Sequence, residues 1–289
     1  MAKVLVTGGS GKLGRAVLKD LVAHNYEVLN LDQTVPPEAV CPTVRIDLTN
    51  FGEVAAAILG GIDERSGPFD AVVHLAAIPA PGLAANARVF ANNVPSTYNV
   101  FEASRLAGIK NIVFASSETV LGLPFDTPPP YAPVDEDYYP HPESAYSLGK
   151  LLDETMAAQF CRWDPQLRIV GLRFSNVMYP EDYKRFPQFD NDARLRKWNL
   201  WGYIDARDGA QAVRRSIEAD FKGFEAFIIA NADTVMSRSN TSLLAEVFPH
   251  VPQKDGITTN GTLLSIEKAR RMLGYWPQYS WRNEVDGRG

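Results

Sequence analysis

The chain has 289 residues, 45% hydrophobic and 22% charged, a balance that suits one large domain or a domain plus a lobe and excludes disordered and fibrous classes. Its net charge of −5, with Lys and Arg scattered along the chain, gives no electrostatic footprint for nucleic acid or an anionic membrane, which leaves small-molecule chemistry as the expectation. The cysteines are Cys41 and Cys161, and no charged stretch followed by an apolar one precedes the first expected strand, so a reduced, cytoplasmic protein is expected. No apolar run approaches the ~20 residues of a membrane-spanning helix.

Val4 to Thr7 reads as a short strand running into Gly8-Gly9-Ser10-Gly11-Lys12-Leu13-Gly14, with a helix beginning near Lys12. The spacing Gly9-x-Gly11-x-x-Gly14 fits a dinucleotide fingerprint. Its glycines permit a tight turn, close approach of backbone to pyrophosphate, and tight packing of helix on strand. Lys12 is not followed by Ser or Thr, which removes the nucleoside-triphosphate loop reading. The next apolar run, Tyr26 to Leu31, ends at Asp32, where an acidic residue takes the adenosine ribose hydroxyls. A carboxylate there repels a 2′-phosphate, so NAD is expected over NADP.

Further strand-length runs follow at Thr43 to Ile46, Ala71 to His74, Asn111 to Ser116 and Leu167 to Arg173, with long helices expected from Gly82 to Ala107 and Ser144 to Arg162. This alternation predicts an α/β, Rossmann-type doubly wound parallel sheet with a small C-terminal substrate lobe. Leu123 to Pro142 holds seven prolines and the acidic run Asp135-Glu136-Asp137, and reads as an irregular loop with a solvated acidic stretch. Beyond it come a helix from Arg207 to Asp220, a strand from Phe224 to Ala230, and a helix from Ser265 to Leu273 ending at Gly274. The expected division is a dinucleotide domain over 1–173, with segments from about 203–230 returning to it, and a lobe of 174–202 and 231–284. Val285 to Gly289 is polar and glycine-rich and reads as a cloning tail.

Tyr146 and Lys150 lie four apart, so on a helix they share a face, and a cation beside a phenol favours the phenolate, which makes a general base. With 11 Tyr in the chain such a pair also arises by chance, and its place at the start of a helix, after the long loop past the fifth strand, is what singles it out. His74 reads as a packed strand-end residue. His24, His141 and His250 lack ligand spacing, and no metal site is expected.

In order and spacing these pieces resemble the extended short-chain dehydrogenase/reductases of the NAD-dependent epimerase/dehydratase type. The resemblance rests on the glycine turn with Asp32, Asp47-Leu48, His74-Leu75-Ala76-Ala77, Asn93-Val94, Ser116-Ser117, Pro133-Val134-Asp135-Glu136, Tyr146-x-x-x-Lys150, Leu172-Arg173-x-x-Asn176-Val177 and Tyr203-Ile204-Asp205. It implies that Gly8, Gly11 and Gly14, with Lys12 and Leu13, hold the pyrophosphate and that Asp32 takes the ribose. It places Asp47 and Leu48 beside adenine, and Leu75, Ala76 and Ala77 along the cofactor's path with Asn92 or Asn93 nearby. Tyr146 becomes the base, Lys150 holds the nicotinamide ribose, Ser117 (with Ser116 second) hydrogen-bonds the reacting oxygen, and Asn176 faces substrate. Ser116 and Ser117 also admit the plain reading of a strand end.

The resemblance also implies a sugar-like substrate, commonly a nucleotide sugar, and homodimers through the two long helices. Two departures weaken the nucleotide part: Trp201 stands where such members carry an Arg, and Lys254-Asp255-Gly256 replaces an Arg-x-Gly-Asp-like stretch. Arg194, Arg196 and Lys197 read as an anion site or, by preference, a solvated basic face, and Trp198 and Trp201 as lobe packing or a platform for a sugar. Net oxidation of a sugar alcohol is expected ahead of epimerisation with retained NAD, and both ahead of a non-catalytic NAD sensor.

Overall fold

The computed structural model describes residues 1–60 and 68–285, so residues 286–289 of the expected tail lie outside the described residues. In chain order the elements are β1 (Lys3–Thr7), α1 (Lys12–Ala23), β2 (Glu27–Asp32), β3 (Thr43–Arg45), α2 (Phe51–Ile58), β4 (Ala71–His74), α3 (Asn86–Leu106) and β5 (Asn111–Ser117). There follow α4 (Ala145–Trp163), β6 (Arg168–Phe174), β7 (Val177–Met178), α5 (Phe186–Phe189), β8 (Ile204–Asp205), α6 (Ala206–Glu218), β9 (Gly223–Ile229), α7 (Asn240–Val247), α8 (Glu267–Leu273) and α9 (Trp281–Val285). Seven strands form one sheet in the order β3-β2-β1-β4-β5-β6-β9, every neighbouring pair parallel. That is the doubly wound arrangement expected.

Alternation along the strands decides which helix packs where. Val4 and Val6 point to one face and meet Val17, Leu18 and Leu21 of α1, an i, i+1, i+4 stripe that lines one side of that helix. Leu5 and Val72 point to the other face and meet Val54 of α2 and Val100 of α3. Each such fully buried aliphatic side chain contributes roughly 1.5–3 kcal/mol. Because both faces are covered, the strands read as continuous apolar runs, which is why they were legible.

The shorter elements were not foreseen. The helix α2 is eight residues long and starts at an Asn50 cap that accepts from Gly52 and Glu53 N–H groups, a local signal easily lost beside the longer periodic stretches. The strands β7 and β8 pair over two residues only. Leu123 to Pro142 holds no helix or strand, as expected, yet two residues of its acidic run are tied down while Asp137 stays exposed. Glu136 Oε1 accepts from Ile228 N–H at 2.7 Å and Asp135 Oδ2 from Lys254 Nζ at 2.7 Å. Trp201, Phe248 and Leu264 belong to the same apolar cluster as β1 and β6, so a continuous core runs from the sheet into the C-terminal segments.

Candidate active site

Between β1 and β4 the strand order reverses, and the crevice at the carboxyl ends of these strands is where such sheets bind ligands. A cavity of about 1020 Å³ opens there, from Asp32 and Asp47 past the glycine turn to Tyr146 and Trp198. At the turn, Gly8 has φ +76°, and a Cβ on it would lie 2.5 Å from Ala76 N. A Cβ on Gly14 would lie 2.1 Å from Gly8 O, so the helix can seat against the turn only without a side chain. Gly9 serves the strand side: its N–H donates to Asn30 Oδ1 at 2.9 Å. The helix α1 begins after Gly11 with no side-chain cap, leaving first-turn N–H groups for an anion. Backbone that close, with those donors, fits a pyrophosphate.

Asp32 ends β2 at the cavity wall, its Oδ2 accepting from Ser10 N–H at 2.9 Å, so it both steadies the turn and lines the cavity. Asp47, Leu48, Leu75, Ala76 and Ala77 also line the cavity. The two asparagines divide their work. Asn92 lines the cavity, whereas buried Asn93 clasps the Ile78 backbone, accepting at 2.8 Å and donating at 3.1 Å, and so shapes the segment after β4. Lys12 pairs with Asp182 at 2.5 Å, linking the turn to the C-terminal segments.

Tyr146 and Lys150 sit in the first turns of α4, whose start is fixed by a capping box between Ser144 and Ser147. Both line the cavity, together with Ser117 at the end of β5. Ser117 Oγ accepts from Thr119 N–H at 3.2 Å and from Thr119 Oγ1 at 3.0 Å, which leaves its own proton to donate. Ser116 Oγ instead donates to Glu154 Oε1 at 2.6 Å, and Glu154 holds Arg173 through two bonds of 2.9 and 2.8 Å. Lys150 Nζ donates to Ala115 O at 2.6 Å. His74 is a packed residue, bridging Thr7 Oγ1 at 2.7 Å and Thr97 Oγ1 at 3.2 Å. Burial, and then the Lys150 charge, pushes its imidazole down to about 3, so it stays neutral.

Beyond Tyr146 the wall is made by Glu118, Leu123, Asn176, Val177 and Trp198. Asn176 Oδ1 accepts from Arg196 Nη1 at 3.1 Å. The two tryptophans separate: Trp198 lines the cavity, whereas Trp201 is fully buried, donates from Nε1 to Ala193 O at 2.8 Å and meets Phe248 edge-on. Arg196 is not part of a solvated face. It is buried, stacked 4.8 Å over Trp198, with Nη2 donating to Gly202 O at 2.9 Å. Lys197 and Arg194 are paired with Asp126 and Glu246, and Lys254 with Asp135.

Glu118 is the residue that sequence reasoning missed. It follows Ser117, is 3% exposed, and takes Asn199 Nδ2 on Oε1 at 3.2 Å, with the Ser175 hydroxyl and the Asn176 backbone as further partners. Burial pushes its carboxyl up to about 7 against the opposing pull of Ser175, Asn199 and Arg196. Nothing local in Ser117-Glu118-Thr119 announces this, because its partners come from some 57 to 81 positions further along, at Ser175 and Asn199.

The family model described as NAD dependent epimerase/dehydratase family matches residues 4–230. Among curated relatives, a bifunctional UDP-glucose 4-epimerase and UDP-xylose 4-epimerase 1 from Pisum sativum is 31% identical over 215 residues, 70% of this chain. That match spans only 59% of the pea protein's length. An L-arabinose 1-dehydrogenase (NAD(P)(+)) from Haloferax volcanii is 26% identical, covering 83% of this chain and 93% of its own. Among solved structures, MoeE5 in complex with UDP-glucuronic acid and NAD superposes with a TM-score of 0.72 at 21% identity, over 99% of this chain and 97% of that one. The UDP-N-acetylglucosamine 4-epimerase from Bacillus cereus gives a TM-score of 0.71 at 21% identity, over 100% and 98%. These two share the fold. With the family model spanning β1 to the end of β9, the chain belongs to the NAD-dependent epimerase/dehydratase family.

Proposed function

We propose that this chain is an NAD-dependent oxidoreductase that moves hydride between a secondary alcohol of a small sugar-like substrate and NAD. The observation carrying this reading is that Ser117, Tyr146 and Lys150 line the same cavity as the glycine turn, so base and cofactor cradle share one space. In this reading Gly8, Gly11 and Gly14, with Lys12 and Leu13, hold the pyrophosphate. Asp32 takes the adenosine ribose, Asp47 and Leu48 flank adenine, and Leu75 to Ala77 with Asn92 line the cofactor's path. When bound, NAD supplies the ring that accepts or returns hydride. Tyr146 removes the hydroxyl proton, Lys150 favours the phenolate and the ribose, and Ser117 donates to the reacting oxygen. Ser116 is less suited, since its proton is committed to Glu154.

A neutral sugar or polyol suits the far wall best. Trp198 offers a ring face, Asn176 an amide, and the Glu118 carboxyl, protonated up to about 7, a further hydrogen-bonding group. The position where nucleotide-sugar enzymes carry an Arg is filled by Trp201, turned into the core. Residues 174–202 and 231–284 serve as the substrate lobe. A panel of aldoses, uronates and polyols with NAD should yield NADH with a neutral member; NADH from none of them would refute the reading. Epimerisation of a nucleotide sugar is the second reading, favoured by the UDP-glucose 4-epimerase relatives. Purified protein that retains NAD and interconverts UDP-sugars without net NADH would move the assignment there.

No helix among the described residues is long and apolar enough to cross a membrane. Cys41 and Cys161 are unpaired, in keeping with a cytoplasmic enzyme. Exposed Phe90 and Tyr98 on α3 and Leu148 on the adjoining α4 suit a homodimer built on these helices.

A further inference from the structure

We infer that Asp153 is a positioning residue for the base pair: its buried carboxylate is the counter-charge of Lys150 and limits how strongly that ammonium acts on Tyr146. The inference rests on the proposed role of Tyr146 as the base. Tyr146, Lys150 and Asp153 fall at i, i+4 and i+7 on α4, one face of the helix, and all three are buried. The Lys150 ammonium is drawn from both sides, donating to Ala115 O at 2.6 Å and to Asp153 Oδ2 at 3.5 Å. The Asp153 side chain is fully shielded, with the Thr97 hydroxyl as its further hydrogen-bond partner. Taking two charges out of water costs stability that a pair at 3.5 Å does not fully return, so Asp153 is better explained as a charge held at a set distance from Lys150 than as a fold-stabilising contact.

The surrounding groups leave Lys150 as its charged partner. On the same helix, Glu154 is committed to Arg173 of β6 and to Ser116 of β5. From β4, His74 is neutral and bridges to Thr97 of α3, whose hydroxyl also leans on Asp153. Burial raises the Asp153 carboxyl to about 6, while Lys150 and Thr97 pull it down, so it is ionised at neutral pH and above, where the base must work. Asp153 therefore subtracts from the Lys150 field at Tyr146. Seven helical positions set the two backbone sites roughly 10 Å apart along the axis. At an effective dielectric of about 20 the coupling of two charges at that spacing corresponds to about tenfold in an ionisation equilibrium.

The test uses the whole protein labelled with ¹³C-tyrosine and no cofactor, with the Tyr146 resonance assigned by its loss in Tyr146→Phe. In Asp153→Asn, the phenolate-to-phenol ratio of Tyr146 at a fixed mildly alkaline pH should rise about tenfold, and Asp153→Glu should leave it at the wild-type level. Asp153→Ser removes the same charge in a smaller side chain and gives the same reading should the Asn variant not fold. A ratio unmoved in both neutral variants would overturn the inference. The measurement needs no substrate, so a protein inert toward every sugar refutes the proposed function alone, and an unmoved ratio in an active enzyme refutes this inference alone.

Discussion

At the cofactor end of the cavity the lining is built around one short turn, Gly8 to Gly14, and the run Leu75 to Ala77 at the end of β4, whereas beyond Tyr146 it is drawn from separate stretches, Glu118, Asn176 and Trp198. The first end is held by short-range rules. A strand must stop, turn tightly and release a helix whose N–H groups stay free, and only particular residues permit it. The second end has no such local logic, since Glu118 finds Asn199 and Asn176 finds Arg196 only after the chain has folded. One end should therefore fail as a unit for every substrate, and the other should fail differently for each sugar.

Tyr146 stands where the two ends meet, and its substitution should have the largest effect. On the proposed role of Tyr146 as base, Tyr146→Phe removes the proton acceptor while keeping the ring, so kcat should fall about 10³-fold while NAD binding, read by calorimetry, stays within about twofold of wild type. Equal losses in both would place Tyr146 in cofactor binding and blur the division between the ends.

Glu118 gives the next largest effect. Its carboxyl keeps a proton in the fold up to about 7 that the unfolded chain releases near the ordinary value of 4.5. The native state then binds more protons across that window, so stability is greatest below it and falls as pH rises through it. In Glu118→Gln that decline disappears. Between about pH 5 and about pH 8 the wild type should lose on the order of 3 kcal/mol more than the variant, measured by urea unfolding. Parallel stability curves would mean the carboxyl is solvated.

The same contrast explains what could be read in advance. The parallel sheet was legible because each strand is an apolar run, and the turn because Gly8, Gly11, Gly14 and Asp32 have positions that chemistry dictates. Tyr146 and Lys150 were legible because helical spacing puts them on one face and the ordered motifs around them carry the family resemblance that gives them roles. Glu118 and Asp153 were not, since a lone acidic residue gives no sign of burial until its neighbours are known. Arg196 misled for the same reason: beside Arg194 and Lys197 it reads as surface charge, yet Trp198 and Asn176 enclose it.

A smaller effect, confined to the cofactor end, is expected from Gly14→Ala. The added methyl would meet Gly8 O at 2.1 Å, which the chain can relieve only by moving α1 off the turn. That displacement should cost about 2 kcal/mol of stability and weaken NAD at least about tenfold, with KM for the sugar unchanged once NAD saturates. A change in sugar KM at saturating NAD would show that the turn also shapes the far wall.

Trp198→Ala should be the mildest and the most selective. The indole lines the cavity on one side and carries the Arg196 guanidinium at 4.8 Å on the other, so it transmits the position of Arg196, and through it Asn176, to the wall. Losing an aromatic face against a sugar ring removes about 1 kcal/mol, a rise in sugar KM of about fivefold, with kcat and NAD affinity nearly constant. If the ring face is what a neutral sugar meets, the rise should be larger for sugars with an apolar ring face than for open-chain polyols. Equal rises for both would assign Trp198 to holding Arg196 instead.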